Sequence, residues 1–257
     1  MNTTQKFTAF YTILRKEVVR FFRIWPQTLL PPVINQSLYF IIFGAFIGSR
    51  IGLINGVPYM DFIVPGLVMM AVINSSFANV VSSFFGSKFQ RNIEELMVSP
   101  TPDWVVLAGY CGGGVLRGVL VGLIIFVISS FFTGLHIYNF GLILLFIVLT
   151  AVTFSLGGFI NAIFAKRFDD ISIFPMFVLT PLTYFGGVFY SINSLPPIWQ
   201  NLSKLNPILY MVDGFRYGFF GQSDLNVTFS AIMLIVLTIV MTGISLYLLR
   251  KGTGMRS

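Results

Sequence analysis

Side chains able to do chemistry are scarce in the apolar stretches of this chain. Of 257 residues, 56% are hydrophobic and 10% are charged, with a single Cys, Cys111, and a single His, His136. One Cys excludes an internal disulfide framework and a multi-Cys metal site, and one His argues against a His-cluster metal centre. The acids Asp61, Asp169 and Asp170 lie only at the edges of apolar runs. This pattern argues against an intramembrane enzyme and against proton coupling.

Uncharged polar side chains do occur inside the apolar runs, at positions that could line a path for a substrate. They are Asn35 and Gln36 in the first run, Ser75 and Asn79 in the second, and Thr183 in the fifth. Polar groups in a bilayer are costly unless they are satisfied, so they usually face other helices or water. Two interpretations are open, because the same residues could line a conduit or seal contacts between helices.

The third run contains the only charge within a predicted span, Arg117. It could attract an anionic head group such as a phosphate or a carboxylate. It could instead bond helix carbonyls or an acid of a cytoplasmic loop, with its side chain reaching the inner interface. The same run carries two series of small residues at four-residue spacing, which allow close approach of backbones. The series are Gly109 and Gly113, and Gly114, Gly118 and Gly122.

The elements that must position these residues are membrane-spanning helices. Charged residues make up about 25% of ordinary soluble proteins, and the low fraction here excludes a soluble enzyme, while disorder would need low hydrophobicity. A spanning helix needs about 20 largely apolar residues. The sequence therefore predicts an all-α polytopic membrane protein with six transmembrane helices. We place them at about 27–49, 62–87, 105–132, 140–164, 171–190 and 227–249.

The basic residues indicate the orientation of these spans. If the N-terminus is cytoplasmic, 12 Lys and Arg residues fall inside and 3 fall outside, with Arg117 within a helix. Such an asymmetry is typical of cytoplasmic loops. Both termini are therefore predicted to be cytoplasmic. The net charge of +7 is then a topology signal, and no nucleic-acid partner is expected.

The segment preceding the first span is predicted to be an amphipathic helix. Within residues 1–25, apolar side chains recur at spacings of three and four and basic side chains supply the polar side. Such a helix lies in the membrane interface against anionic lipid. A simple topology anchor is the alternative interpretation.

The longest predicted cytoplasmic loop, 88–103, contains a candidate docking element. Residues 88–98 can form a short helix in which Lys88 and Arg91 approach the acids Glu94 and Glu95. Two prolines then end it. A helix with charges and an exposed apolar tip suits a cytoplasmic partner, although a solvated interhelical loop has the same composition.

The predicted outer segment, 191–225, is too apolar for a free loop. Two proline-containing breaks predict short helices at about 196–204 and 207–220 that enter the outer leaflet. Such backbone must be covered by protein or water. Asp213 and Arg216, three residues apart, could form an ion pair there.

Three motifs resemble those of ABC-2 type transporter permeases, in particular the bacterial branch that exports polysaccharides, lipids or drugs. One is the Glu94–Pro100 loop after the second span, another the Asn206–Arg216 run before the last, and the third the Pro- and Gly-rich fifth span. The resemblance covers essentially the whole chain as one domain. It implies a bacterial inner-membrane subunit of an ATP-driven exporter that moves a lipid, a polysaccharide-type substrate or a drug.

The resemblance also implies partners and site residues. The permease would pair with itself or a similar permease, and two copies of an ATP-binding subunit would dock beneath it and hold the ATP and Mg. By motif match, the coupling residues would be Glu94, Glu95, Leu96 and Met97. The outer cap would contain Asn206, Pro207, Tyr210, Asp213 and Arg216.

The sequence shows no ATP-hydrolysing site of its own. It contains no G-x-x-x-x-G-K-[ST] motif, whose loop cradles nucleotide phosphates. We therefore expect no enzymatic activity and no cofactor on this chain. The alternative to an ABC exporter is an ATP-independent channel or a secondary transporter.

Overall fold

A computed structural model describes residues 1–134 and 137–254, without the side chains of Ala45, Ser49 and Met97. The predicted outer turn at His136 and the coupling role of the Met97 side chain thus lie outside the described part.

The chain begins with a long amphipathic helix, as predicted. Helix α1 spans Thr3–Arg23, and at its start the Asn2 backbone N–H donates to Gln5 Oε1 at 2.9 Å. This contact is half of a capping box. One face, which includes Ile13 and Phe21, is buried.

The first predicted span, 27–49, is a broken helix. It consists of α2 (Trp25–Thr28), α3 (Leu30–Tyr39), a π-helical segment (Phe40–Ile47) and α4 (Gly48–Ile51). Pro26, Pro31 and Pro32 lack the amide N–H that a continuous helix needs, which accounts for the first breaks.

A short hairpin that the sequence analysis did not predict follows this span. Strands β1 (Leu53–Ile54) and β2 (Val57–Pro58) pair antiparallel. Asn55 and Gly56 between them have φ of 51° and 78°. Asn-Gly with two positive φ angles is the preferred two-residue hairpin turn.

Three long helices build the centre, with one short helix between the first two. These elements are α5 (Tyr59–Phe89), α6 (Asn92–Val98), α7 (Asp103–Ser130) and α8 (Phe140–Phe164). Helix α5 lies at the centre of the bundle, since 89% of the residues in its most apolar 18-residue stretch are buried. It packs mainly against α7 and α8.

The remaining elements are shorter, apart from the last helix. They are α9 (Asp170–Phe174), a π-helical segment (Pro175–Leu179), α10 (Thr180–Tyr184), a 3-10 turn (Ile192–Ser194), α11 (Pro197–Ser203), α12 (Pro207–Phe220) and α13 (Val227–Lys251). Helices α11 and α12 match the predicted 196–204 and 207–220.

Within the described part, four helices are long and apolar enough to cross a membrane: α5, α7, α8 and α13. They correspond to the predicted spans two, three, four and six. The fifth appears as the shorter, interrupted helical run Asp170–Tyr184. The chain is therefore an all-α polytopic membrane protein.

The two glycine series of α7 face different neighbours. A Cβ at Gly109 or Gly113 would collide with Ile13 or Glu17 of α1. A Cβ at Gly118 or Gly122 would instead collide with Ser76 or Val72 of α5. The small residues thus let α7 pack closely against two helices at once.

Candidate functional site

The candidate coupling element is α6, which is shorter than predicted. The chain leaves α5 after Phe89, and Arg91 adopts a left-handed conformation with φ of 62°. The predicted continuous helix 88–98 was wrong for this reason. Lys88 turns away from the acids and donates from Nζ to the carbonyl oxygens of Ile163 at 2.8 Å and Ala165 at 2.6 Å.

Helix α6 presents its acids to solvent and anchors itself with apolar side chains. Glu94 and Glu95 are exposed, Leu96 is half-buried and Ile93 is 2% exposed. The hydroxyl of Ser99 donates to the Leu96 carbonyl at 2.6 Å and closes the end of the helix. The predicted coupling residues with described side chains are therefore either exposed or at the edge of the core.

A groove of about 690 Å³ separates α6 from α1. Its walls include Thr8 and Thr12 of α1, Glu95 and Leu96 of α6, and Tyr110 of α7. The candidate coupling element, the N-terminal helix and α7 thus meet at one open groove, and half of the residues that line it carry hydroxyls.

Sequence analysis missed a buried acid on α1. Glu17 is 0% exposed, lies against Gly113 and accepts a short hydrogen bond from the hydroxyl of Ser83. Its other oxygen lies 3.2 Å from Nη2 of Arg20. The available signal was its position between Ile13 and Phe21, four residues away on either side, which puts an acid on the face that packs inward.

The same guanidinium reaches a predicted conduit residue. Asn79 is buried, and its backbone and side-chain oxygens accept from Arg20 Nη2 at 3.0 and 2.9 Å. Ser75 on the same helix is buried, and its hydroxyl has no partner among the described residues.

The other predicted conduit residues occupy different surroundings. Asn35 is exposed, whereas Gln36 is buried and its Oε1 has no donor within the described part. Thr183 is buried and its hydroxyl donates to the Leu179 carbonyl at 2.7 Å. The structure does not bring the six predicted conduit residues together in one chain.

Arg117 is 8% exposed and bonds a helix carbonyl, one of the two roles considered for it. Its Nη2 donates to the Thr28 carbonyl oxygen at 3.0 Å, at the break between α2 and α3. Asn79 thus contacts α1, and Arg117 contacts the break between α2 and α3.

The first of the predicted outer cap residues lie at the N-terminus of α12. Asn206 caps the helix by accepting from the Ile208 N–H at 3.0 Å, and it donates to the Leu182 carbonyl at 2.6 Å. Pro207 occupies the first turn, where no amide donor is needed. Tyr210 donates to the Lys204 carbonyl at 2.8 Å.

Asp213 and Arg216 are both buried, but they are not a direct ion pair. The Asp213 carboxylate accepts from the backbone N–H groups of Asp224 and Leu225 at 3.0 and 3.1 Å. Arg216 donates to the Gly187 carbonyl at 2.7 Å and stacks on Phe62. Within the described part, no carboxylate oxygen of Asp213 lies within 4.0 Å of a guanidinium nitrogen of Arg216.

Comparisons with known proteins decide the family. The profile of the ABC-2 type transporter family matches residues 8–220. The chain belongs to the ABC-2 type transporter family. It is 57% identical to the inner membrane transport permease YadH of Escherichia coli K12 over 249 residues, which cover 97% of each chain.

The chain also has more distant relatives. The chain is 21% identical to nodulation protein J of Rhizobium leguminosarum bv. viciae over 232 residues, which cover 88% of this chain and 90% of the relative. ABC-2 membrane subunits are not themselves catalytic, so this chain is an inner-membrane, multi-pass transport permease and not an enzyme. Any ATP and Mg act on a separate subunit.

Proposed function

We propose that this ABC-2 permease is the membrane subunit of an exporter for an amphipathic substrate, whether a lipid, a polysaccharide-type molecule or a drug. The observation that carries the proposal is the combination of exposure and anchoring in helix α6. It exposes Glu94 and Glu95 yet is anchored by Ile93 in the core. A rigid, exposed knob is what a separate ATPase needs to move the permease.

Two copies of an ATP-binding subunit would dock on α6 of two permeases. Closure of the ATPases would pull α6 together with α1, because both helices border the groove that contains Thr12 and Leu96. The movement would reach α7 through the contact of Ile13 with Gly109.

The proposed orientation places both termini in the cytoplasm. Lys88 and its neighbours Lys166 and Arg167 lie together near the end of α8. Their charge supports a cytoplasmic location for that end of the bundle. The outer cap of α11 and α12 would then close the opposite end.

The first and fifth spans are proposed to cross the membrane as broken helices and to face a second permease, either identical or similar. Their shared surface exposes Asn35 and a pair of hydroxyls, Tyr39 and Tyr184, whose oxygens are 2.7 Å apart. By contrast, the exposed residues of α13 between Ile232 and Ile244 are apolar. Lipid suits α13, whereas the polar surface needs water or protein.

The test is co-purification of the tagged chain with an ATPase in mild detergent, followed by an assay of ATP hydrolysis. Replacing Glu95→Lys together with Leu96→Asp should abolish co-purification without loss of membrane insertion. The matched control is Asn201→Lys with Leu202→Asp on α11, where both residues are exposed. Unchanged ATPase binding by the α6 variant, or a chain that transports without any ATPase, would favour the channel or secondary-transporter alternative.

A further inference from the structure

Three buried N–H groups lack an acceptor where α1, α5 and α7 meet. They belong to Arg20 Nε, Asn79 Nδ2 and Arg117 Nε, and none has a hydrogen-bond partner among the described residues. An unpaired buried donor costs free energy, and charged donors cost more. Three such groups at one junction indicate a place that accepts an external acceptor.

The three groups are neighbours. Arg20 Nη2 binds both oxygens of Asn79, and Asn79 Nδ2 lies 3.4 Å from a Cβ placed on Gly113. Arg117 follows Gly113 by one helical turn on the same face of α7. The guanidinium groups of Arg20 and Arg117 are close enough to repel one another.

The junction also has an excess of positive charge. Glu17 forms an ion pair with Arg20 at 3.2 Å, whereas within the described part no ion pair includes Arg117. Of the two guanidinium groups at the junction, only that of Arg20 is therefore paired with a carboxylate. Guanidinium and amide N–H groups together are the donors that bind phosphate-type oxyanions.

An apolar groove of about 420 Å³ is connected to the junction through Ser82 of α5. It lies between α5 and the α9 to α10 segment, with Phe77, Val81 and Met176 among its walls. Ser82 is also in its wall and accepts from Arg20 Nη1 at 3.3 Å. An apolar groove whose wall includes a serine bonded to a guanidinium suits a molecule with a charged head and an apolar tail.

The depth of the junction suits an inner-leaflet head group. Helix α7 has 28 residues and is about 42 Å long, which exceeds the hydrocarbon thickness of about 30 Å. Since α1 packs on its first turns, the excess length lies on the cytoplasmic side in the proposed orientation. Arg117, halfway along α7, can then reach the inner interface.

We propose that Arg20, Asn79 and Arg117 form a site for a phosphate-type oxyanion, and that the adjoining groove holds the apolar chain when the oxyanion is a lipid head group. The site deepens the proposed export function by naming an anionic amphiphile as the ligand. Its source is either an inner-leaflet phospholipid or free phosphate.

The experiment uses the full-length chain without any ATPase, delipidated in detergent and then mixed with equal amounts of phosphatidylglycerol and phosphatidylcholine. Native mass spectrometry counts retained phosphatidylglycerol and phosphatidylcholine for the wild type, Arg20→Gln, Arg117→Gln and the control Arg15→Gln, whose parent residue is exposed on α1. We expect about tenfold weaker retention of phosphatidylglycerol in the first two variants only. Equal retention in all folded variants, or equal retention of both lipids, overturns a lipid site.

A second pair of measurements distinguishes the sources. Ala78→Phe would fill the groove from an exposed position, so it should remove phospholipid retention without altering the arginines. Inorganic phosphate should raise the thermal midpoint of the wild type over chloride at equal ionic strength if free phosphate binds, and the Arg variants should lose that shift. If neither phospholipid nor phosphate distinguishes the variants from the wild type, the proposal is wrong. Since no ATPase is present, failure of α6 docking would not affect this result.

Discussion

Arg117 of α7 donates to the backbone carbonyl of Thr28 at 3.0 Å, at the break between α2 and α3. Thr28 in turn donates from its hydroxyl to the Phe21 carbonyl at 2.9 Å near the end of α1. Two hydrogen bonds thus connect the end of α1, the break between α2 and α3, and the middle of α7.

The close approach of α1 and α7 depends on Gly113. Gly113→Leu should push Glu17 outward and lower the free energy of unfolding by about 1–3 kcal/mol, the usual cost of overpacking. Thermal unfolding in detergent measures it. Gly243→Leu is the matched control, because a Cβ there meets nothing within 4 Å. Equal midpoints for the two variants would contradict the contact.

Asp224 holds three segments of the predicted outer face together. Its carboxylate accepts from Asn55 of the hairpin and from Ser191, Ile192 and Asn193 of the loop after α10. Asp224→Ala should leave these donors unpaired and cost about 1–3 kcal/mol. Two measurements test this prediction: faster proteolysis of the predicted outer loops in right-side-out vesicles, and a lower thermal midpoint in detergent.

The control for the Asp224 variant is Asp169→Ala, in which an exposed acid is removed from the loop before α9. Cleavage of both alanine variants at the wild-type rate would show that the Asp224 hydrogen bonds do not hold these segments together.

Arg216 and Phe62 join α12 to the second span. The guanidinium carbon lies 3.8 Å from the ring centroid, while Nη2 donates to Gly187. A double-mutant cycle with Arg216→Met and Phe62→Leu should give a coupling energy of about 1–2 kcal/mol, as expected for a desolvated cation–π contact. Additive effects on unfolding would show that the stack contributes no stability.

The proposed contact between two permeases predicts a cross-link. In a Cys111→Ala background, Asn35→Cys should form a disulfide-linked dimer under oxidation in native membranes, because Asn35 is exposed on α3. Ile235→Cys on the apolar face of α13 is the control and should stay monomeric. Migration on non-reducing gels measures the result. A dimer formed only by the Ile235→Cys variant would show that α13 faces the partner permease and that α3 does not.

Local signals predicted the outer helices well. Pro196, Pro197 and the Asn206-Pro207 pair begin α11 and α12 where expected, because capping and the missing proline N–H act within a few residues. The Asn55-Gly56 turn carried an equally local signal for the hairpin, but the sequence analysis did not use it.

Other features had no local signal. Nothing in its sequence indicates that Arg91 takes a left-handed conformation, and the spacing of Asp213 and Arg216 permits a pair without requiring it. Asp213 instead accepts from the N–H groups of Asp224 and Leu225, and Arg216 donates to the carbonyl of Gly187. These partners come from segments that only folding brings near.

The sequence by itself determined the membrane class, four long apolar helices and the starts of the outer helices, because composition, hydrophobic length and helix caps are properties of short segments. The tertiary structure decided which helix each face of α7 meets. Gly109 and Gly113 meet α1 while Gly118 meets α5, and Glu17 is buried as a result. Periodicity defines a face of one helix, but its partner depends on the packing of segments distant in the chain.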